Sequence, residues 1–283
     1  MCMNRCSLRR IFLDQDKTDL TNFLLPRPPS AAGGRQGQKR HIVALHWDNI
    51  DPRMVATQAE VFRHLGYTIT QTCLNKLSHG VFLDRTLAEM GEDDLVLCMD
   101  IDCFPTNREI VEHAFDVAEA GGLIGCAQVS MHIDPMRIFT APCFLALSRR
   151  TWDGLGRPSF RPDAKGDVGQ GVHDAALAAG VKVEYIRPWA CALPKWNLAN
   201  HMFYGIGTFY RGGVFHLYES RNSPYAFLFY AVAEDVLAGR ETDILALCRK
   251  TMKLYAFERP ITKWVRFKIR QKKFLKKYIL SRK

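Results

Sequence analysis

Two aspartates separated by one residue, Asp100 and Asp102, follow the apolar run Leu95–Met99. In an extended chain the side chains at positions i and i+2 point the same way, so the two carboxylates converge while Ile101 faces the core. Carboxylates are hard oxygen ligands suited to Mg²⁺ or Mn²⁺, and a cation held by few protein oxygens keeps positions open for substrate phosphates. The pair indicates a phosphate-handling metal site, although two solvated aspartates at the end of a strand have the same spacing.

The apolar run before the aspartates is typical of a strand buried on both faces of a parallel sheet, where ligands bind beyond the carboxyl ends of the strands. Strand and helix patterns alternate in this part of the chain. The predicted strands are His41–Leu45, Tyr67–Leu74, Leu123–Gln128 and Val181–Ile186, and the predicted helices are Pro52–Leu65, Leu83–Met90, Asn107–Ala120 and Val172–Ala179. This alternation predicts an α/β fold with a mostly parallel, Rossmann-type sheet flanked by helices.

The second half of the chain has a less regular pattern. Ile138–Ser148 is predicted to be a strand that Pro142 interrupts, and a short helix is predicted from Thr151. The segment from Pro188 to Tyr230 is rich in aromatic and turn residues and contains the apolar stretch Val214–Tyr218. We therefore predict a disordered extension and linker over residues 1–40, one globular domain over residues 41–258 with an irregular second half, and a separate tail over residues 259–283.

The composition is that of a globular chain, since 47% of the 283 residues are hydrophobic. No stretch approaches 18 uninterrupted apolar residues, and Ile11–Leu13 is followed at once by Asp14, so neither a membrane span nor a secretory signal is predicted. The nine cysteines, an odd number that falls mostly within apolar segments, are typical of reduced core thiols and lack the spacing of a zinc site. We expect a cytoplasmic protein.

The net charge of +10 is concentrated at the C-terminal end. From Arg259 to Lys283 there are eleven Lys or Arg and no acidic residue, whereas the rest of the chain has 28 Lys or Arg and 29 Asp or Glu. Aromatic and aliphatic residues are interleaved with these cations, which predicts a basic amphipathic helix. Such a helix suits an anionic membrane surface, here the inner face of the cytoplasmic membrane. A nucleic acid and a solvated terminal helix remain as alternatives.

The order of the polar motifs resembles that of the GT-A fold glycosyltransferases over roughly residues 41–222. A first strand ends in His46-Trp-Asp-Asn49, a later strand ends in Asp100-Ile-Asp102, an acid-bearing loop and helix span Asp167–Asp174, and a late strand carries His216. The apolar strand that ends in Met-Asp-Ile-Asp-Cys-Phe-Pro is similar to the metal-binding Asp-x-Asp motif of that superfamily. The sequence Val-Phe-His-Leu around His216 is similar to the late histidine that completes the metal shell in some of its members.

The resemblance implies a metal-dependent enzyme that transfers a sugar from a nucleotide-diphosphate donor to a glycan or lipid-linked acceptor, as in polysaccharide biosynthesis. It implies that Mn²⁺ or Mg²⁺ is held by Asp100, Asp102 and His216, with Asp102 the more direct of the two carboxylate ligands. Donor contacts are expected from His46, Asp48, Asn49, Arg85, Asp100 and Arg221. The resemblance also implies a carboxylate near the reacting sugar, for which Asp167 is the preferred candidate and Asp174 the second. Whether the anomeric configuration is retained or inverted stays open.

Two other classes of protein remain as alternatives. A nucleotidyltransferase on a similar sheet also uses metal-binding carboxylates, but it is expected to show a glycine-rich phosphate loop with Lys or Arg near the first strand, and residues 45–53 contain no such loop. A non-enzymatic protein that binds membranes or nucleic acid explains the basic tail, but it leaves Asp100, Asp102 and His216 without a role.

Overall fold

The computed structural model describes residues 38–130, 133–198, 202–221 and 223–257. Residues 1–37 of the predicted extension and linker, and the predicted basic tail from residue 259, lie outside the described residues, whereas Arg40, the last residue of that predicted linker, belongs to a strand. In the described part of the chain the strands are β1 Arg40–His46, β2 Thr70–Cys73, β3 Leu95–Asp100, β4 Cys103–Pro105, β5 Leu123–Ser130, β6 Asp134–Ser148, β7 Val183–Ile186, β8 Pro188–Leu198, β9 Met202–Tyr210 and β10 Val214–His216. The helices are α1 Pro52–His64, α2 His79–Glu89, α3 Arg108–Glu119, α4 Arg149–Gly154, α5 Gln170–Ala178, α6 Ala226–Leu237 and α7, residues 244–257.

The central sheet has six strands in the order β2-β1-β3-β6-β5-β7. Strand β1 is parallel to β2 and β3, β5 is parallel to β7, and β6 alone runs antiparallel to both of its neighbours. Five strands therefore point in one direction, which confirms the predicted mostly parallel α/β sheet. In such a sheet the carboxyl ends of β1 and β3 meet at one edge, and Leu45 at the end of β1 pairs with Asp100 at the end of β3.

Alternate residues of β3 belong to opposite layers of the core, which explains why its apolar run is continuous. Leu95, Leu97 and Met99 pack in the cluster that contains the buried side chains of α3, whereas Val96 and Cys98 pack with those of α2 and α5. All five side chains are fully buried. The alternation places Asp100, the next residue with the parity of Cys98, on the side of the sheet that α2 covers.

The helices next to the site begin where the sequence provides capping side chains. Asp51 caps α1, whose first residue is Pro52, and Asn107 caps α3. Helix α2 begins at His79, four residues before the predicted start at Leu83, because the Ser78 hydroxyl accepts a hydrogen bond from the Val81 backbone N–H. The earlier start brings the first turn of α2 to the end of β3.

The segment after β7, predicted to be irregular, provides β8, β9 and β10, which form a regular antiparallel sheet with β4 in the order β4-β10-β9-β8. Its prolines and glycines suggest turns, but the strands accommodate Pro188 and Pro194 at register shifts between β8 and β9. Several aromatic residues of this segment are strand residues with buried side chains, including Tyr204, Tyr210 and Phe215. Strand β10 joins this sheet to β4 and so carries His216 towards the end of β3.

Strand β6 runs through Pro142, where the sequence predicted an interruption. The prediction was right about a local irregularity and wrong about a break. Gly125 of β5 pairs with Leu145, and the next residue, Cys126, pairs with Ala141, so residues 142–144 form a bulge on β6. The bulge removes the need for a ladder hydrogen bond from the proline nitrogen. Among the described residues, no helix is both long enough and apolar enough to cross a bilayer.

Candidate active site

The turn between β3 and β4 carries both aspartates, and one buried side-chain amide binds the backbone of this turn. The Gln58 side chain of α1 is fully buried, and its Nε2 donates to the backbone carbonyls of Asp100 at 2.8 Å and Cys103 at 2.7 Å. The Leu217 backbone N–H donates to the Asp102 carbonyl at 2.9 Å, which attaches the turn to the end of β10. These bonds fix the backbone of the turn, so the directions of the two carboxylates are set by the fold.

Asp100, Asp102 and His216 form a cluster whose potential ligand atoms all lie within 4.8 Å of one another. His216 Nε2 lies 3.2 Å from Asp102 Oδ1 and 3.7 Å from Asp100 Oδ2. Adjacent ligands of an octahedral cation with bonds of about 2.1 Å are about 3.0 Å apart, so small side-chain movements suffice to enclose one. Two carboxylates and an imidazole also suit Mn²⁺ chemically. The residues present therefore fit a divalent cation, as the sequence predicted.

The electrostatics of this cluster are those of two close carboxylates beside a buried histidine. Burial and the neighbouring Asp102 charge raise the pKa of Asp100 to about 6. Burial also disfavours ionisation of Asp102, but the charge and hydrogen bond of His216 outweigh it and lower the pKa of Asp102. Burial alone would lower the pKa of His216, yet the Cys143 and Asp102 side chains reverse that effect and raise it well above its usual value. A cation would relieve the repulsion between the carboxylates.

His216 is held in place by aromatic packing. Its ring lies on that of Tyr218, with 3.8 Å between the ring centroids, and the Tyr218 hydroxyl is 2.6 Å from that of Tyr210. The His216 side chain is only 4% exposed, whereas those of Asp102 and Asp100 are 14% and 33% exposed. Exposure thus increases from His216 through Asp102 to Asp100, which places His216 at the inner end of the cluster.

His79 belongs to the same site, and sequence reasoning missed it. As the first residue of α2 it places Nδ1 3.3 Å from Asp100 Oδ1. Burial lowers the pKa of His79 to about 4, so its ring is neutral at pH 7, and its Nδ1 atom faces the Asp100 carboxylate. The Nε2 atom is buried and has no hydrogen-bond partner among the described residues. The capping residue Ser78 was the signal that would have moved the predicted helix start to this histidine.

A cavity of about 420 Å³ opens above the cluster. Its walls come from the end of β1, the start of α2, the β3–β4 turn and the segment after β10. The lining residues are Leu45, His46, Trp47, Asn49, Ile50, His79, Asp100, Ile101, Asp102, Glu219, Ser220 and Arg221. The structure therefore brings His46, Asn49 and Arg221, three of the predicted donor contacts, to the same cavity as Asp100 and Asp102, two of the predicted metal ligands.

Trp47 and Arg221, which both line this cavity, are in contact with each other. The Arg221 guanidinium lies over the Trp47 ring, 4.7 Å from its centroid, and its charge reaches Asp100, where it lowers the carboxyl pKa against the larger effect of burial. The Trp47 indole N–H donates to the Leu77 carbonyl at 3.0 Å, which fixes the plane of the ring. The cavity thus has a positive group and an aromatic face close to the two aspartates.

Two predicted donor contacts do not line the cavity. Asp48 is exposed and is paired with Asn75, which donates to its carboxylate at 2.8 Å and accepts from its backbone N–H at 2.9 Å. Arg85 lies on an exposed position of α2, while its neighbour Asp84 accepts hydrogen bonds from Ser159 and from the Phe160 backbone N–H. The roles of Asp48 and Arg85 in donor binding stay predictions.

The two predicted carboxylates of the loop and helix before β7 occupy different surroundings. Asp167 lines a second cavity of about 300 Å³ with Arg161 and Asp163, and its charge contributes to the raised pKa of Asp100 after burial and Asp102. Asp174 forms an ion pair with Arg137, and it lines neither cavity. Catalytic roles for Asp167 and Asp174 stay predictions.

No protein-family profile matches the sequence, and no curated protein matches it. Among solved structures, the chain is similar to a mannosyltransferase from Pyrobaculum calidifontis in complex with GDP-Man and Mn²⁺, with 11% identity and a TM-score of 0.40, covering 80% of this chain and 82% of that one. It is also similar to the catalytic domain of Drosophila beta-1,4-galactosyltransferase 7 in complex with xylobiose, with 12% identity and a TM-score of 0.38 over 52% of this chain. The chain spans 64% of the length of that galactosyltransferase structure.

A third similar structure is a putative glucose-1-phosphate thymidylyltransferase from Bacillus anthracis, with 12% identity and a TM-score of 0.33, covering 52% of this chain and 86% of that one. The matched structures thus include glycosyltransferases, the class that the sequence motifs resemble, and a nucleotidyltransferase. What the site of this chain does is inferred from its own residues.

Proposed function

We propose that this chain is a metal-dependent glycosyltransferase that moves a sugar from a nucleotide-diphosphate donor to a hydroxyl group of a glycan or lipid-linked acceptor. The proposal rests on one observation above all. Asp100, Asp102 and His216 converge at the carboxyl end of a buried strand, and the two aspartates line a cavity that also presents an arginine and an aromatic ring. A nucleotide diphosphate needs this combination, since a cation and a guanidinium bind phosphate oxygens and an aromatic face stacks on the base.

In this proposal Asp102 and His216 are the inner ligands of Mn²⁺ or Mg²⁺, and Asp100 binds from the more exposed side. The cation would neutralise negative charge that develops on the departing diphosphate. His216 would hold the cation as a neutral imidazole through Nε2 and would therefore have to lose any proton that it carries. His79 orients the Asp100 carboxylate through Nδ1, which lies 3.3 Å from Oδ1.

The donor occupies the cavity above these residues. Arg221 contacts the diphosphate through its planar N–H groups, because a guanidinium matches the spacing of phosphate oxygens. Trp47 and His46 provide the surface for the base, and Asn49 offers an amide for the base or the ribose. Asp48 and Arg85 complete the set of predicted donor contacts from the rim.

The acceptor would approach from the side of Asp167, which lines the second cavity and whose charge reaches Asp100. If the configuration inverts, the Asp167 carboxylate takes the proton of the acceptor hydroxyl as that oxygen attacks the anomeric carbon. If it is retained, Asp167 lies beneath the anomeric carbon. Asp174 is the second candidate for the same role.

The experiment is a screen of UDP- and GDP-linked sugars with mass detection of the free nucleoside diphosphate, with and without Mn²⁺. We expect at least one donor to be hydrolysed slowly in a metal-dependent way, because water replaces the missing acceptor. The variant Asp102→Asn should lose this activity by at least about a hundredfold. Glu92→Gln, which removes one exposed carboxylate far from the cavity, is the matched control and should keep it.

Two results would overturn the proposal. One is that no nucleotide sugar is hydrolysed and no nucleoside diphosphate raises the melting temperature in a metal-dependent way. The other is that the protein joins a nucleoside triphosphate to a sugar phosphate with release of pyrophosphate, which would identify a nucleotidyltransferase that uses the same metal-binding carboxylates.

A further inference from the structure

Helix α7, residues 244–257, carries apolar side chains on its outer surface as well as on its inner one. Its inner residues Ile244, Leu247, Cys248 and Leu254 pack against the core cluster that contains α6. On the outside, Leu245 is 57% exposed, Met252 49% and Phe257 70%. A helix that packs in a core along one side does not need large apolar residues on the other side. The exposed apolar side chains of α7 therefore indicate a surface that binds a partner.

The outer surface of α7 is also positively charged. Arg249 and Lys253 are exposed at positions between the apolar side chains, and Lys250 lies over the Phe227 ring, with Nζ 4.3 Å from its centroid. Residues 244–257 contain three Lys or Arg and no acidic residue. At 1.5 Å of rise per residue the helix is about 21 Å long, so a continuous basic and apolar strip extends along this part of the surface.

We propose that the outer surface of α7 docks the protein on a bilayer that contains anionic phospholipid. Lipid headgroups provide the negative charge that complements Arg249, Lys250 and Lys253, and the acyl region beneath them accepts Leu245, Met252 and Phe257. A nucleic acid would satisfy the charges only, because its phosphate backbone offers no apolar layer for three such side chains. The mixture of the two residue types therefore favours lipid.

The sequence that continues beyond α7 has the same composition. From Arg259 to Lys283 it has eleven Lys or Arg and no acidic residue, with Trp264, Phe267 and Phe274 among them. The three cations of α7 are therefore followed in the sequence by eleven more. These should strengthen attraction to the same anionic layer, since each cation near such a surface adds to the binding.

The test measures binding of the full chain to vesicles by sedimentation. Vesicles with one quarter phosphatidylglycerol in phosphatidylcholine are compared with pure phosphatidylcholine, at low and high salt. We expect binding to the anionic vesicles that weakens as salt rises. The triple variant Arg249→Gln, Lys250→Gln, Lys253→Gln should lower the partition coefficient by about 30-fold or more.

A second variant tests the apolar part of the surface. Leu245→Gln, Met252→Gln, Phe257→Gln should lower the partition coefficient by about tenfold and should leave the thermal melt unchanged, because these side chains are already exposed. This variant keeps every charge. A loss of vesicle binding therefore reports insertion of the apolar side chains and not a general loss of attraction.

The matched control is the triple variant Arg63→Gln, Arg150→Gln, Lys182→Gln, which removes three exposed cations that lie outside α7. It should change vesicle binding by less than about threefold, although its net charge equals that of the first variant. Equal losses in the control and the α7 charge variant would overturn the proposal, and so would vesicle binding that neither α7 variant changes. Binding to RNA in the absence of any vesicle binding would also overturn it and would identify a nucleic-acid surface. None of these outcomes depends on the proposed transferase activity.

Discussion

The affinity of the candidate site for Mn²⁺ should depend on pH in a manner set by its three ligands. Without metal, the Cys143 and Asp102 side chains raise the pKa of His216 well above its usual value against the effect of burial, which favours the protonated imidazole. Asp102 is ionised at that pH because its pKa is lowered. A metal ion binds only the neutral imidazole, so binding of Mn²⁺ at pH 7 must release the proton of His216.

The size of the effect follows from the number of protons released. While His216 alone loses a proton, the association constant for Mn²⁺ should fall about tenfold for each unit of decrease in pH. Asp100 has a pKa of about 6, so below that pH a second proton must leave and the decrease should approach about a hundredfold per unit. Affinity therefore rises with pH throughout this range, and its slope changes near the pKa of Asp100.

Isothermal titration of the protein with Mn²⁺ at pH 7, in two buffers of different ionisation enthalpy, counts the released protons directly. The expected value is about one proton per metal ion. His216→Gln should bind Mn²⁺ more weakly and should lose most of the pH dependence above the pKa of Asp100. Equal Mn²⁺ affinities at acidic and alkaline pH, or binding without proton release, would refute the assignment of His216 as a ligand that is protonated in the free protein.

Three further predictions concern residues around the metal ligands. Gln58→Leu leaves the Asp100 and Cys103 carbonyls without their buried donor and should lower the free energy of unfolding by about 2–4 kcal/mol in urea denaturation; a loss under about 1 kcal/mol would contradict the support given to the turn. His79→Leu should weaken Mn²⁺ binding by about tenfold, and His79→Asn, which keeps a donor near the position of Nδ1, should recover most of it; equal binding by both variants would remove the positioning role. Trp47→Ala should weaken nucleoside diphosphate binding by about tenfold without changing the affinity for Mn²⁺ alone, as fluorescence titration can show, and an unchanged nucleotide affinity would exclude stacking on this ring.

The α/β fold and the main sheet were predictable because their signals are local. The buried run before Asp100, the capping residues Asp51 and Asn107 and the glycines after helices mark elements without reference to the rest of the chain. The second sheet was not predictable in the same way. Its strands contain Pro188 and Pro194, which favour turns locally, and only pairing between β8 and β9 accommodates them.

The cluster of the candidate site was predictable, but the residues that support it were not. Residue type and motif order singled out Asp100, Asp102 and His216 as candidate metal ligands, although Asp102 and His216 are 114 positions apart and meet only because β10 pairs with β4. Gln58 was missed because a glutamine within an amphipathic helix gives no sign of which carbonyl groups its amide will meet. His79 was missed because helix propensity placed the start of α2 too late. Contacts between distant segments are fixed by packing, which a single sequence does not display.

The most direct test of the account is anomalous diffraction from a crystal of this protein soaked with Mn²⁺ and a nucleoside diphosphate. The account predicts one strong manganese peak among Asp100, Asp102 and His216, with the diphosphate bound to the same ion and Arg221 beside it. An empty cluster with the nucleotide bound elsewhere, or a manganese peak that excludes His216, would contradict the claim that these three residues form the metal site of a nucleotide-sugar enzyme.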